Sequence, residues 1–302
     1  MNAEVRLLGI RQILAQKQLL SGGWPALTLS SQTVLEPTAY SMMALGSDLW
    51  DEHKRARRCL VRCQNPNGSW PAFIGDDDEG SWATALALIA LRNYSENVPA
   101  QLKGFRWLLR SAGKESSLLW RWKFQTADRH ARFDPNKFGW PWQPRTNSWV
   151  VPTAFAILAL NQLSCTCDLE DSEQRIRRGI EMLLDRVCPG GGWNAGNGVV
   201  YGGALAPHPD DTAIALLALK NHSDEPVVPK SLEWLEGTAT TLSAPWSLAW
   251  AVLALAAYSR NVCPLVGFLA DLVGHIDIQD TATLAVVALA LDFERSLILL
   301  AS

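Results

Sequence analysis

Apolar runs rich in alanine and leucine recur along this chain with almost no polar interruption: EPTAYSMMAL (36–45), GSWATALALIAL (80–91), VVPTAFAILAL (150–160), DDTAIALLAL (210–219), WSLAWAVLAL (246–255) and DTATLAVVALAL (280–291). Alanine and leucine favour helix, and a helix apolar on nearly every side has to be buried all round. Ahead of each run lies a segment with apolar residues on one helical face and polar ones on the other: 9–18, 56–64, 104–112, 177–187, 230–238 and 265–276. The pattern predicts six helical hairpins, with buried inner helices wrapped by amphipathic outer ones. A linear stack would need polar caps on its end units, yet the last run is as apolar as the middle ones, so the hairpins are expected to close into a ring. Gly-Trp turns join most outer and inner helices, at Gly22-Gly23-Trp24, Gly68-Ser69-Trp70, Gly139-Trp140 and Gly191-Gly192-Trp193. The fifth keeps Pro245-Trp246 and the sixth has Gly274-His275. Glycine allows the sharp turn and tryptophan fills the wedge between units.

Because the repeats span nearly all 302 residues, one domain over 1–302 is expected. Hydrophobic residues at 48% and charged ones at 19% fit a large core and exclude a disordered chain. A net charge of -3 and a pI near 6.0 give no attraction to nucleic acid. The first residues, MNAEVRLLGIRQILAQ, carry charges through their apolar stretch and read as an amphipathic helix, which places the protein in the cytoplasm and its six cysteines as free thiols. Cys165 and Cys167 are close enough to suggest zinc, but the surrounding segment does not complete four ligands.

The segments GIRQILAQKQLLSGGW and CLVRCQNPNGSW resemble the QW repeats of squalene-hopene cyclases, in which a helix ending near Gln is followed by Gly-x-Trp. Six such units are similar to the prenyltransferase and squalene-hopene cyclase repeat superfamily, which implies an all-α fold, a single (α/α)6 toroid. His208-Pro209-Asp210-Asp211-Thr212-Ala213 resembles the Asp-x-Asp-Asp-Thr-Ala acid motif of class II terpene cyclases. The resemblance implies a protonation-initiated cyclisation of a polyprenyl substrate. Asp210 would be the proton donor, Asp211 the acid that helps position it, and His208 stands where the family has its first Asp. It implies no cofactor, with Mg²⁺ left open for a diphosphate substrate. Zinc-dependent protein prenyl transfer, on a similar fold, uses an Asp-x-Cys element that does not occur here. Helix capping competes for the acids, because Glu36, Asp78-Glu79 and Asp280 occupy comparable helix starts.

Fourteen tryptophans against eight Phe and four Tyr fit a cavity that stabilises cations by ring faces. Trp24, Trp70 and Trp193 belong to the turns and are assigned to packing, whereas Trp82, Trp149, Trp246 and Trp250 start inner helices and Trp142 and Tyr201 lie on connecting loops. These six are the candidate substrate-binding residues. The insertion 121–149 gathers Arg121, Lys123, Arg129, His130, Arg132, Lys137 and Arg145, as a diphosphate clamp or as a solvated loop, and Asp76-Asp77-Asp78-Glu79 reads as an acidic loop without metal in preference to an Mg²⁺ site. A toroid that binds an isoprenoid, another apolar ligand or a protein without turnover is the competing function. Peripheral membrane contact, a partner protein and self-association stay open.

Overall fold

The computed structural model describes residues 2–75, 79–126, 132–163 and 169–300. In chain order the helices are α1 (Ala3–Lys17), α2 (Leu35–Ala44), α3 (Trp50–Arg62), α4 (Ala83–Leu91), α5 (Val98–Arg110), α6 (Leu118–Thr126) and α7 (Val150–Leu163). They continue with α8 (Leu169–Asp185), α9 (Pro209–Ala218), α10 (Val227–Ala239), α11 (Pro245–Ala257), α12 (Cys263–Leu272), α13 (Thr281–Leu291) and α14 (Phe293–Leu300). A two-stranded hairpin, β1 (Val199–Val200) with β2 (Gly203–Ala204), interrupts the approach to α9.

The six apolar runs are α2, α4, α7, α9, α11 and α13, and each packs against the next, with α13 returning to α2. Nearly all their residues are buried, as helices apolar on every side require. The outer helices pack on the inner helix that precedes them: α3 on α2, α5 on α4, α8 on α7, α10 on α9, α12 on α11. The hairpin unit is therefore inner-then-outer, one helix out of register with the outer-then-inner unit expected from the sequence. The N-terminal α1 completes the ring by packing on α13 and α12. Thr281 N donates to Ala26 O at 2.9 Å and Arg11 Nη2 pairs with Asp292 Oδ2 at 2.5 Å across this seam. The first and last elements thus bury one another, and no terminal unit needs a cap.

The inner helices' C-terminal ends are covered by α14, which packs against α2, α4, α11 and α13. Its carbonyls are held by the ring: Arg92 Nη1 donates to Ile298 O at 2.9 Å and Gln162 Nε2 to Leu299 O at 2.8 Å. This covering helix lies beyond the last apolar run and has no counterpart among the expected elements. It leaves the N-terminal ends of the inner helices as the ring's mouth.

Four turns are built alike. The indole N–H of Trp24, Trp70, Trp140 and Trp193 donates to the carbonyls of Leu14, Leu60, Leu108 and Leu183 at 2.7, 2.7, 2.8 and 2.7 Å. Their backbone N–H groups donate to the hydroxyls of Thr38, Thr84, Thr153 and Thr212, each at 2.9 Å. Each tryptophan thus joins an outer helix to the next inner one and satisfies its own polar groups while buried. The glutamines of the first two turns extend the tie: Gln18 Nε2 donates to Gly22 O and Glu52 O, and Gln64 Nε2 to Gly68 O and Ala100 O, all at 2.8 Å.

Glycine on the facing outer helix makes room for the indole. A Cβ on Gly179 would lie 2.7 Å from Trp140 Cζ3 and 3.2 Å from Ile157 Cδ1. Despite alanine's better helix propensity, Gly179→Ala is expected to lower stability by about 1–3 kcal/mol through overpacking. Urea unfolding measures it, and an unchanged midpoint would mean that the ring gives way freely.

Candidate active site

Nine residues back from the repeat leucines Leu45, Leu91, Leu160, Leu219, Leu255 and Leu289 stand Glu36, Trp82, Val151, Asp210, Trp246 and Asp280. These equivalent positions put one residue from each repeat at the start of its inner helix, around the mouth. One turn deeper on the same helix faces are Tyr40, Leu86, Phe155, Ile214, Trp250 and Leu284. Acids thus occupy three upper positions, and aromatics two upper and three lower ones.

The aromatics form a continuous cluster. Tyr40 contacts Trp246, Trp250 and Phe155 with centroids 6.0, 5.9 and 6.3 Å apart, and Phe155 contacts Trp250 and Trp82, each at 5.8 Å. Trp82 meets Trp142 edge-on at 4.9 Å, and Trp246 meets Trp250 edge-on at 5.8 Å. Tyr40, Phe155 and Trp250 are fully buried, so the rings fill the lumen and form a floor. Trp82, Trp142 and Trp246 are half-buried above it, together with Glu36, Asp210 and Asp280. The indole N–H of Trp250 is buried without a hydrogen-bond partner.

The motif acids point to different partners. Asp210 Oδ2 accepts from Trp246 Nε1 at 3.2 Å and its Oδ1 from Ser247 Oγ at 3.4 Å, which ties it to the start of the neighbouring α11. Asp211 Oδ2 lies 2.9 Å from His208 Nδ1. His208 is the N-cap residue of α9 and its side chain makes no capping bond. The imidazole therefore engages Asp211, and Asp210 is held by the aromatic wall. Capping does describe Asp280, whose Oδ1 accepts from Thr283 N at 2.7 Å.

Burial pushes the Asp211 carboxyl up to about 6; the His208 hydrogen bond opposes this and the Asp210 charge adds to it. Glu36 is pushed up to about 7, first by burial and then by the negative charge of Asp280. Burial, with Glu36 beside it, also raises the Tyr40 phenol. Glu36 is a candidate functional residue that the motif reading passed over as a helix start. Its signal in the sequence was its register, shared with Asp210.

Linkage gives a pH prediction. Glu36 binds its proton more tightly folded than at its ordinary value of 4.5, so its contribution is fully present below 4.5 and is lost as pH rises to about 7. Asp211 acts with the same sign from 3.8 to about 6. His53, pushed down to about 4 by burial and by Arg295 and Arg57, acts oppositely and stabilises the fold as pH rises toward 6.5. The difference between Glu36→Gln and the parent isolates the first contribution: the variant's stability relative to the parent should rise between pH 4.5 and 7 in urea unfolding. A constant difference would show Glu36 to be ordinarily ionised.

Two expected lining residues stand apart from the cluster. Trp149 is half-buried and packs on Gly196, where a Cβ would lie 3.1 Å from its Cζ3. Tyr201 sits at the tip of the β1–β2 hairpin, 78% exposed. In the basic insertion, α6 occupies what sequence reading treats as loop, and Lys114 and Lys123 stand over the Trp120 ring at 4.5 and 4.6 Å. Arg129, His130, Asp76, Asp77, Asp78, Cys165 and Cys167 lie outside the described residues. Arg145 pairs with Glu79. Among the described residues no cluster of three or more His, Cys, Asp or Glu side chains could hold a metal ion, and no helix is long and apolar enough to cross a membrane.

No family model matches the sequence, and no curated protein does. Solved structures do. A protein from Actinoplanes is 16% identical with a TM-score of 0.65, covering 97% of this chain and 99% of its own. A variant of type II terpene cyclase MstE from Scytonema, in complex with its substrate geranylgeranyl dihydroxybenzoate, is 12% identical with a TM-score of 0.63, covering 99% and 98%. The chain is an α/α toroid. The GH76 alpha-mannanase from Bacteroides thetaiotaomicron, at 9% identity and a TM-score of 0.61 over 98% and 96%, has the same toroid, so the likeness fixes the fold and leaves the chemistry to the site.

Proposed function

We propose that the mouth of this toroid binds an isoprenoid-type substrate and starts its cyclisation by proton transfer from Asp210. The observation that carries the reading is the contact of Asp210 with Trp246, the first ring of the cluster that continues through Trp250, Tyr40 and Phe155. An acid and a cation-stabilising wall are thereby supported at one place. In the step, a terminal alkene's π pair takes the carboxyl proton, leaving a carbocation on the substrate and a carboxylate on Asp210. Trp246 Nε1 and Ser247 Oγ donate to the resulting carboxylate and hold it in place. Neighbouring double bonds close rings onto the cation, and loss of a proton ends the sequence. The resemblance of His208–Ala213 to the class II acid motif and the substrate-bound terpene cyclase toroid favour the same chemistry.

One observation favours a second reading, binding without turnover: the buried floor of Tyr40, Phe155 and Trp250 leaves the ligand the mouth above it. Incubation with farnesyl diphosphate, geranylgeranyl diphosphate, squalene and oxidosqualene, with mass spectrometry of the products, separates the two. Cyclised product supports the first reading; tight binding with every substrate recovered intact supports the second.

A further inference from the structure

Away from the mouth, α5 and α8 flank a cavity of about 370 Å³, within the size range of small-molecule sites. Its lining holds Arg106 and Arg110 from α5 and Arg175 and Arg178 from α8, against one carboxylate, Asp171. This is a concentration of positive charge on a chain whose net charge is -3.

The arrangement opposes the chain's own stability. Arg106 and Arg110 stand one turn apart on the same helix, where like charges repel, and Arg175 and Arg178 repeat this at a spacing of three. Arg175 is buried, and its Nη2 donates to Ser111 O at 2.9 Å and Gly139 O at 2.7 Å, while the guanidinium lies over the Trp140 ring at 3.4 Å. Carbonyls and an aromatic face satisfy its donors but carry no opposite charge. Burial, then repulsion from Arg178, pulls its pKa down to about 9, with Glu115 acting in the other direction. Among the described residues, none of the four arginines makes an ion pair. Planar forks from two helices converging on one cavity suit an anion with several oxygens, because each guanidinium can give two parallel hydrogen bonds.

We propose that the α5–α8 cavity is an oxyanion site for a phosphate or diphosphate group, with Arg106, Arg110 and Arg178 as ligands around the fixed charge of Arg175. The site lies on the outer wall and does not depend on the cyclase reading. Its chemistry is shared by a free phosphate compound and by the headgroup of an anionic lipid.

The test is isothermal titration of the full chain with inorganic pyrophosphate at low salt, beside the variant Arg106→Gln/Arg110→Gln and the control Arg58→Gln on α3. Arg106, Arg110 and Arg58 are all exposed, and circular dichroism checks that each variant folds. The expected result is one site per chain in the parent and the control, weakened at least about ten-fold in the double variant, which has lost two charged hydrogen-bond donors. No binding by the parent, or equal affinity in parent and double variant, overturns the proposal. Vesicles of phosphatidylcholine with phosphatidic acid identify the source. Sedimentation of the parent but not of the double variant, with free phosphatidylcholine vesicles as blank, assigns the site to a lipid headgroup; pyrophosphate binding without sedimentation assigns it to a soluble phosphate.

Discussion

Asp210→Asn is expected to reduce cyclisation by about 10²–10⁴-fold, the usual contribution of a positioned general acid. The amide keeps the size of the carboxyl, and its oxygen can still accept from Trp246 Nε1 while its NH2 donates to the Ser247 hydroxyl, so the loss should appear in kcat with substrate binding little changed. Asp211→Asn tests a different role. Asp211 is bound to His208 rather than to the aromatic wall, so its removal should have a smaller effect on kcat. Steady-state kinetics on whichever isoprenoid is turned over compares them, and an Asp210→Asn enzyme as active as the parent would remove Asp210 as donor.

Trp193→Ala should lower stability by about 3–5 kcal/mol, a large share of the roughly 5–15 kcal/mol that holds a typical domain together. The indole is fully buried, and its loss leaves a cavity and removes the N–H that donates to the Leu183 carbonyl at 2.7 Å. Trp122, 64% exposed on α6, is the control, and Trp122→Ala should change stability by no more than about 0.5 kcal/mol. Similar urea midpoints for the two variants would show that the turns do not carry the ring.

Much of this architecture was legible because burial leaves a periodic trace. Runs apolar on every side gave six inner helices, and the Gly-Trp turns gave the wedges that Trp24, Trp70, Trp140 and Trp193 fill. The pairing of outer with inner helices was not legible. An amphipathic helix such as α3 shows that one of its faces is buried but not against which neighbour, and the structure places it on α2. The covering helix escaped because FERSLILL carries charges and falls outside the repeat, while its role depends on Arg92 and Gln162, distant in sequence.

At the proposed site, Asp210 was singled out by its motif and Trp246 and Trp250 by their helix starts, and the structure brings Asp210 to Trp246 and Trp246 to Trp250. Glu36 was hidden, because an acid at a helix start is also what the backbone N–H groups favour. Its neighbours Asp280 and Tyr40 give it a distinct environment only once the ring is closed. Tyr201 shows the opposite failure: a loop aromatic at the right level of the sequence that the β1–β2 turn carries out into solvent.

The most direct measurement is incubation of the parent protein with the alkene substrates farnesyl diphosphate, geranylgeranyl diphosphate and squalene in deuterated water, followed by mass spectrometry of the products. Protonation-initiated cyclisation predicts a cyclic product carrying one solvent-derived deuterium at the carbon that accepts the proton. Absence of cyclised product from all of them, or a cyclic product with no deuterium at that carbon, would contradict the account.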